Sequence, residues 1–149
     1  MIKKTFFGIL AMLALVCAGS WYFIHQNQAQ AVKAEARKTY IQSSRPTIFF
    51  HGWGSSSRAE RHMANAAKNA GVTQTIIEAK VAEDGTVTLK GTIPKDAVNP
   101  IVLVNFDNNR GASTQDQGNY AYAVVKALQD TYGIKEMNMV AHSYGNMAI

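Results

Sequence analysis

A serine near the carboxyl end of the sequence stands in a spacing that suits acyl-transfer chemistry. Ser143 has Ala141 two positions before it and Gly145 two positions after it, a small-x-Ser-x-Gly pattern. A nucleophilic serine on a tight strand-to-helix turn needs small residues at both positions, because larger side chains would collide in the strained backbone. We therefore predict that Ser143 is a nucleophile, with a serine in an ordinary turn as the alternative interpretation.

A second group of residues could stabilise the negative charge that such an attack creates. His51, Gly52, Trp53 and Gly54 follow a short apolar run. The tetrahedral intermediate needs two N–H donors, one from the residue after the nucleophile and one from a loop after an earlier strand. The predicted donors are the backbone N–H groups of Tyr144 and Trp53. Gly52 and Gly54 would let that backbone approach the substrate, and His51 is expected to form a strand-end hydrogen bond.

The base and the acid of a catalytic triad are not predicted in this chain. Six residues follow Ser143, and none is acidic or a histidine. Among the earlier residues, His142 should point away from Ser143 because of the turn geometry. His62 falls on a predicted helix and His25 in the N-terminal segment. Asp107 follows a predicted core strand, but a solvated loop acid is the favoured interpretation. Without a base a serine is a weak nucleophile, so we expect the chain alone to be inactive.

Three apolar runs predict the strands that would position these groups. They lie at 47–51, 101–106 and 137–142, and the first two are rich in β-branched and aromatic residues. The second run is apolar on both faces, which is typical of an inner strand of a parallel sheet. Ser143 directly follows the third run, which is the context that a nucleophile turn requires.

Two amphipathic segments between these runs predict helices, at 58–70 and 119–132, each followed by a glycine that can end it. The predicted apolar face of the first helix consists of Met63, Ala66, Ala67 and Ala70. Between the helices, Asp84-Gly85 is a hairpin turn signal that joins two extended segments. This order predicts an α/β fold with a mostly parallel sheet, helical crossovers and a β-hairpin insertion. The helix after Gly145 has barely begun, so we expect the domain to be incomplete at the C-terminus.

Residues 1–31 predict an export signal or a membrane anchor. Lys3 and Lys4 precede an uncharged run at 5–24, which as a helix would match the hydrocarbon core of a bilayer, about 30 Å thick. The lysines predict an inside start and an outward-facing remainder. Ala29-Gln30-Ala31 offers a signal-peptidase site, so cleavage and retention both stay open. Residues 32–45 would follow as a polar tether, and residues 46–149 as the domain.

Composition limits the partners and cofactors. The formal net charge is +5, but no basic stripe with interleaved aromatic residues is present, so no nucleic-acid partner is predicted. The single cysteine, Cys17, lies in the N-terminal segment, so the exported part could form no internal disulfide. The sequence has no metal-ligand cluster and no phosphate-binding loop, so we predict no metal and no cofactor.

The motifs together resemble one protein family. Four stretches recur there in the same order: 46–52, the hairpin around 84–85, 99–106 and 139–146. The family is that of the poorly characterised cell-surface α/β-hydrolases of Gram-positive bacteria, lipase- and esterase-like proteins with an N-terminal export segment. The resemblance covers Pro46 to Ile149, the N-terminal half of such a domain. It departs at Ala141, where glycine is more usual, and at Asn146, where a second glycine is frequent.

The resemblance implies an exported or cell-surface serine hydrolase that acts on small-molecule or lipid esters, here as a fragment without the triad Asp and His. A non-catalytic, surface-anchored binding module on the same scaffold is the alternative, and a membrane-surface adaptor built on the basic tether is a third hypothesis. We also expect the strands at 101–106 and 137–142 to lack a covering layer, which would make the isolated chain aggregation-prone.

Overall fold

The computed structural model describes the backbone of residues 2–149 and the side chains of residues 12–149. Its elements follow one another in this order: α1 (Ile2–Thr39), β1 (Thr47–Phe50), α2 (Arg58–Asn69), β2 (Ile76–Val81), β3 (Val87–Lys90), β4 (Ile101–Phe106), α3 (Thr114–Tyr132), β5 (Asn138–Ala141) and a 3-10 turn (Ser143–Met147).

Within the described residues, the five strands form one sheet in the order β3-β2-β4-β1-β5. Strand β4 pairs in parallel with both β1 and β2, and β1 pairs in parallel with β5. The exception is β3, which runs antiparallel to β2 and forms the hairpin. Helices α2 and α3 make the crossovers from β1 to β2 and from β4 to β5. The predicted α/β fold, with its mostly parallel sheet and hairpin insertion, is confirmed.

The register of the sheet brings the two chemically interesting segments together. Phe50 at the end of β1 is paired with Ala141 at the end of β5. The loop after β1 and the turn after β5 therefore begin side by side. Strand β4 lies on the other side of β1 and ends at the same carboxyl edge, which is where open α/β sheets bind ligands.

The central strand β4 is covered on both faces. Val102 and Val104 belong to the core that α3 helps to form, whereas Ile101 and Leu103 pack with Ala64 of α2. The expectation that residues 101–106 lack a covering layer is therefore wrong, because the two crossover helices lie on opposite faces. Strand β5 differs, since Met139 and Val140 are 40% and 41% exposed.

Both helices differ from their predicted details. Helix α3 begins at Thr114 rather than Asn119, because Ser113 and Asp116 form a capping box that satisfies the first free N–H groups. Helix α2 buries Ala64 and packs the partly buried Ala67 against the same cluster. Since Met63, Ala66 and Ala70 are exposed, the predicted apolar face is correct at Ala67 and wrong at the other three positions. The small alanine side chain lets the helix axis approach β4, whereas the longer methionine points away from the sheet.

The N-terminal helix α1 continues into the segment predicted as a polar tether. Ala36 is 2% exposed, and a Cβ atom placed on Gly71 would lie 3.2 Å from its methyl carbon, so this part of α1 packs on the domain. The uncharged run at 5–24, which predicts an export signal or a membrane anchor, lies partly outside the described residues, because the side chains of residues 5–11 are not among them. No helix among the described residues has the length and apolar character needed to cross a membrane.

Candidate active site

The backbone at Ser143 has the unusual conformation predicted for a nucleophile turn. His142 is extended, and Ser143 then turns into the left-handed region with φ +52° and starts the 3-10 turn. A side chain in that region costs of order 1–3 kcal/mol and persists only where the surrounding structure holds it. Ser143 is also exposed, so its hydroxyl is accessible at the carboxyl edge of the sheet.

Gly145 seats this turn directly on the end of β1. It is buried, and a Cβ atom added to it would lie 2.6 Å from the Phe50 carbonyl oxygen and 2.7 Å from that of His51. No side chain fits between these backbones. Asn146 donates from its side-chain Nδ2 to the Ser143 carbonyl oxygen at 2.8 Å. That bond helps to close the turn.

The loop after β1 touches the turn from the other side. A Cβ atom on Gly52 would lie 3.2 Å from the Ser143 Cβ and 3.3 Å from the His142 carbonyl oxygen. Gly52 thereby allows the predicted oxyanion loop and the predicted nucleophile to lie in contact.

The predicted oxyanion donors are the backbone N–H groups of Trp53 and Tyr144. Their neighbours are occupied: Gly54 N–H donates to Asn109 at 2.7 Å, and Gly145 N–H donates to His142 at 2.9 Å. Among the hydrogen bonds of the described residues, neither the Trp53 nor the Tyr144 N–H has a protein acceptor. A developing oxyanion requires donors that have no other acceptor.

His51 uses both ring nitrogens to hold the end of β1. Its Nε2 accepts the Phe106 N–H at 3.1 Å, so Nδ1 carries the proton and donates to the Gly52 carbonyl oxygen at 2.9 Å. The ring is 2% exposed and lies 5.2 Å from the Phe106 ring, centroid to centroid. With both nitrogens occupied, His51 has no nitrogen left to serve Ser143 as a base.

Of the other candidate acids and bases, only His142 lies beside the site, since its Nδ1 would be 3.3 Å from a Cβ atom on Gly52. Asp107 pairs with Lys80 of β2 at 2.9 Å, which turns its carboxylate away from β1 and β5. His62 on α2 and His142 before the turn are exposed, and so is His25 on α1. In the part of the chain that the structure describes, no group of three or more His, Cys, Asp or Glu residues could hold a metal ion.

Residues 107–112 after β4 form a wall of the site that the sequence reasoning missed. The Asn109 carbonyl accepts the Gly54 N–H, and its side-chain Nδ2 donates to the Ser55 carbonyl at 2.7 Å. On the other side, the Tyr144 hydroxyl donates to the Ala112 carbonyl at 3.3 Å. The available signal was a polar run directly after a core strand, because loops at the carboxyl ends of parallel strands line binding sites.

Comparisons with known proteins agree with this architecture. The family model described as alpha/beta hydrolase of unknown function (DUF915) matches residues 34–149. The solved product of gene lin2722 from Listeria innocua has 27% identity and a TM-score of 0.66, with 71% of this chain and 42% of that chain covered. A Lactobacillus plantarum WCFS1 protein, assigned as a cell surface hydrolase, has 24% identity and a TM-score of 0.53 over 65% and 39% of the two chains. At that identity the second likeness shows the fold alone.

The chain thus spans about two fifths of the length of these solved structures. No curated protein matches it. The predicted family resemblance is confirmed, and the matched residues include the whole sheet, both crossover helices and the candidate active site. The chain belongs to the α/β-hydrolase family DUF915.

Proposed function

We propose that this protein is an exported serine hydrolase of the carboxylesterase or lipase type, with Ser143 as its nucleophile. The observation that carries the proposal is the left-handed backbone of Ser143, φ +52°, fixed against β1 where Gly52 and Gly145 leave no room for side chains. A strained, exposed serine at the carboxyl edge of a parallel sheet has an evident use in acyl transfer and none in packing.

In this mechanism the Ser143 oxygen attacks the ester carbonyl while a general base takes its proton. The carbonyl oxygen becomes an oxyanion that accepts hydrogen bonds from the Trp53 and Tyr144 N–H groups, each worth about 3 kcal/mol in comparable hydrolases. The intermediate then expels the alcohol, which receives the proton from the base. Water subsequently cleaves the acyl-serine ester and regenerates the hydroxyl.

The proposal includes a base and an acid outside this chain. His51 is occupied by the sheet and Asp107 by Lys80, so neither supports Ser143. We therefore propose that these 149 residues are an N-terminal fragment, inactive alone, of a hydrolase as long as its solved relatives. Export is supported by the lysines and the uncharged run at 5–24, and by the Lactobacillus plantarum protein, assigned as a cell surface hydrolase.

The first test reads the nucleotides downstream of the Ile149 codon in all frames. We expect coding potential for a strand-end aspartate and a later loop that contains a histidine. A stop codon followed by no such potential would contradict catalysis by this product and favour the non-catalytic binding module.

The second test applies a fluorophosphonate label to the extended chain. Labelling is expected in the wild type and in Ser56→Ala, a serine of the neighbouring loop, but not in Ser143→Ala. The 149-residue chain should label weakly or not at all, since its serine has no base. An extended chain that takes no label, or that keeps its label after Ser143→Ala, rules out Ser143 as the nucleophile.

A further inference from the structure

An arginine stands at the rim of the candidate active site, against the side chain of a proposed oxyanion residue. Arg110 lies in the wall formed by residues 107–112 and is exposed. Its guanidinium carbon lies 5.1 Å from the centroid of the Trp53 ring, which is itself 58% exposed. The guanidinium charge therefore lies against the side chain of the residue whose backbone N–H would bind the substrate oxygen.

The fold holds this arginine in place. The Trp53 indole Nε1 donates to the Arg110 carbonyl oxygen at 3.1 Å. Gly54, with φ +68°, lies so close that a Cβ atom there would be 3.2 Å from the Arg110 Nε. The adjacent Asn109 is tied to Gly54 and Ser55. A cation that is positioned before the ligand arrives loses less conformational freedom on binding than a mobile one.

The charge of Arg110 has no ion-pair partner among the described residues. The five basic side chains that do form ion pairs there are Arg45, Arg61, Lys80, Lys90 and Lys126. The acids that flank Arg110 in sequence are occupied, since Asp107 pairs with Lys80 and Asp116 accepts bonds from Ser113. A guanidinium presents a planar fork of N–H donors that matches the oxygens of a carboxylate or a phosphate.

We propose that Trp53 and Arg110 form a recognition site for an anionic substrate, an ester that carries a carboxylate or phosphate group beside its scissile bond. The inference rests on the proposed hydrolase function and names its substrate class. The exposed indole face contacts the apolar part of the substrate, and Arg110 pairs with its anionic oxygens. Neutral esters of the same size lack the second contact and bind more weakly.

The test measures binding, not turnover, so that it does not depend on the triad. The ¹⁵N-labelled 149-residue chain, kept in a neutral detergent, is titrated with benzoate, with phenyl phosphate and with neutral benzyl alcohol. The indole N–H resonance of Trp53 is followed, and that of Trp21 on α1 serves as an internal reference. We expect saturable shifts of the Trp53 resonance with one or both anions and little change with the alcohol. Comparison of the two anions tells whether the site takes carboxylate or phosphate.

Variants separate a specific site from general attraction of anions. Arg110→Gln should weaken anion binding by about tenfold or more, and Arg110→Lys should give an intermediate loss. Arg37→Gln removes the same charge from α1 and should leave binding unchanged. Equal shifts with neutral and anionic probes, or an unchanged affinity in Arg110→Gln, would overturn the proposal. Anion binding that Arg110→Gln abolishes supports the site even if Ser143 takes no label, in which case only the hydrolase proposal fails.

Discussion

The end of β1 and the turn after β5 lie side by side, but they are held by different means. At the end of β1, His51 is buried and both of its ring nitrogens are bonded. The turn after β5 carries an exposed serine with a strained backbone, on a strand whose Met139 and Val140 are about two fifths exposed. The nucleophile segment therefore takes its position from β1, through Gly145, more than from the packing of its own strand.

The largest expected effect follows from Gly145→Val. The added side chain cannot occupy the 2.6 Å between the Cβ position and the Phe50 carbonyl oxygen, so the turn must leave β1. We expect a loss of about 3 kcal/mol or more in the free energy of unfolding, as severe overpacking gives, measured by urea denaturation. Gly118→Ala is the matched control, because nothing lies within 4 Å of the Cβ position of Gly118 in α3. This variant should raise the free energy of unfolding by about 0.5–1 kcal/mol. Equal stability of Gly145→Val and the wild type would show that the turn is not seated on β1.

His51→Ala tests how the end of β1 is held. It leaves the buried Phe106 N–H without its acceptor and removes a ring from the core, so we expect a loss of about 2 kcal/mol. His62→Ala on the exposed side of α2 should change the stability by less than about 0.5 kcal/mol. Thermal unfolding of both variants would measure the difference, and similar melting temperatures would refute the structural role of His51.

Ser143→Gly should have a smaller effect of the opposite sign. Glycine adopts φ +52° without strain, so this variant is expected to be more stable than the wild type by about 1 kcal/mol. Ser143→Ala removes the same hydroxyl but keeps the strained Cβ and should not share the gain. Chemical denaturation of the two variants separates backbone strain from loss of the hydroxyl. An equal stability of both variants would mean that the turn stores no strain.

The smallest expected effect lies at the far edge of the sheet, where Glu78 joins α2 to the hairpin. The pKa of Glu78 is held below its usual value by the Ser57 hydroxyl at 2.7 Å, and by Lys90 and Arg61, against the opposing effect of burial. Because its pKa is lower in the folded state, Glu78 stabilises the protein above the pKa it has when unfolded. That contribution is lost as the pH falls through the folded pKa.

We expect Glu78→Gln to cost less than about 1 kcal/mol at pH 7, since Lys90 and Arg61 are about half exposed. This difference in stability between Glu78→Gln and the wild type should shrink as the pH falls towards 3. Urea denaturation at several pH values would measure it. A cost that grows on acidification would contradict the direction of the pKa shift.

Local patterns were sufficient for much of the scaffold. The small residues around Ser143 predicted a tight, strained turn, and the backbone is left-handed at that serine. The run at 101–106, apolar on both faces, predicted an inner strand. The start of α3 was predicted five residues too late, although the spacing of Ser113 and Asp116 is that of a capping box and was a signal for it. The buried face of α2 could not be predicted from the sequence. Its alanines are compatible with more than one apolar face, and only contact with the sheet determines that Ala64 is buried.

The walls of the site could not be read from local sequence. The bonds that join Gly54 and Ser55 to Asn109, and His51 to Phe106, connect residues far apart in the chain. Such contacts depend on the order of strands in the sheet, which periodicity does not specify. Arg110 likewise becomes noteworthy only when the fold sets it against Trp53.

The seating of Gly145 on β1 has a consequence for the evolution of this protein. Every amino acid that can replace glycine through a single base change brings a β-carbon, and at this position each β-carbon meets the same two carbonyl oxygens. No amino-acid substitution at this position therefore avoids the clash. Because this clash lowers the stability of the fold whether or not the serine is needed, we expect the glycine to persist in descendants that have lost the serine.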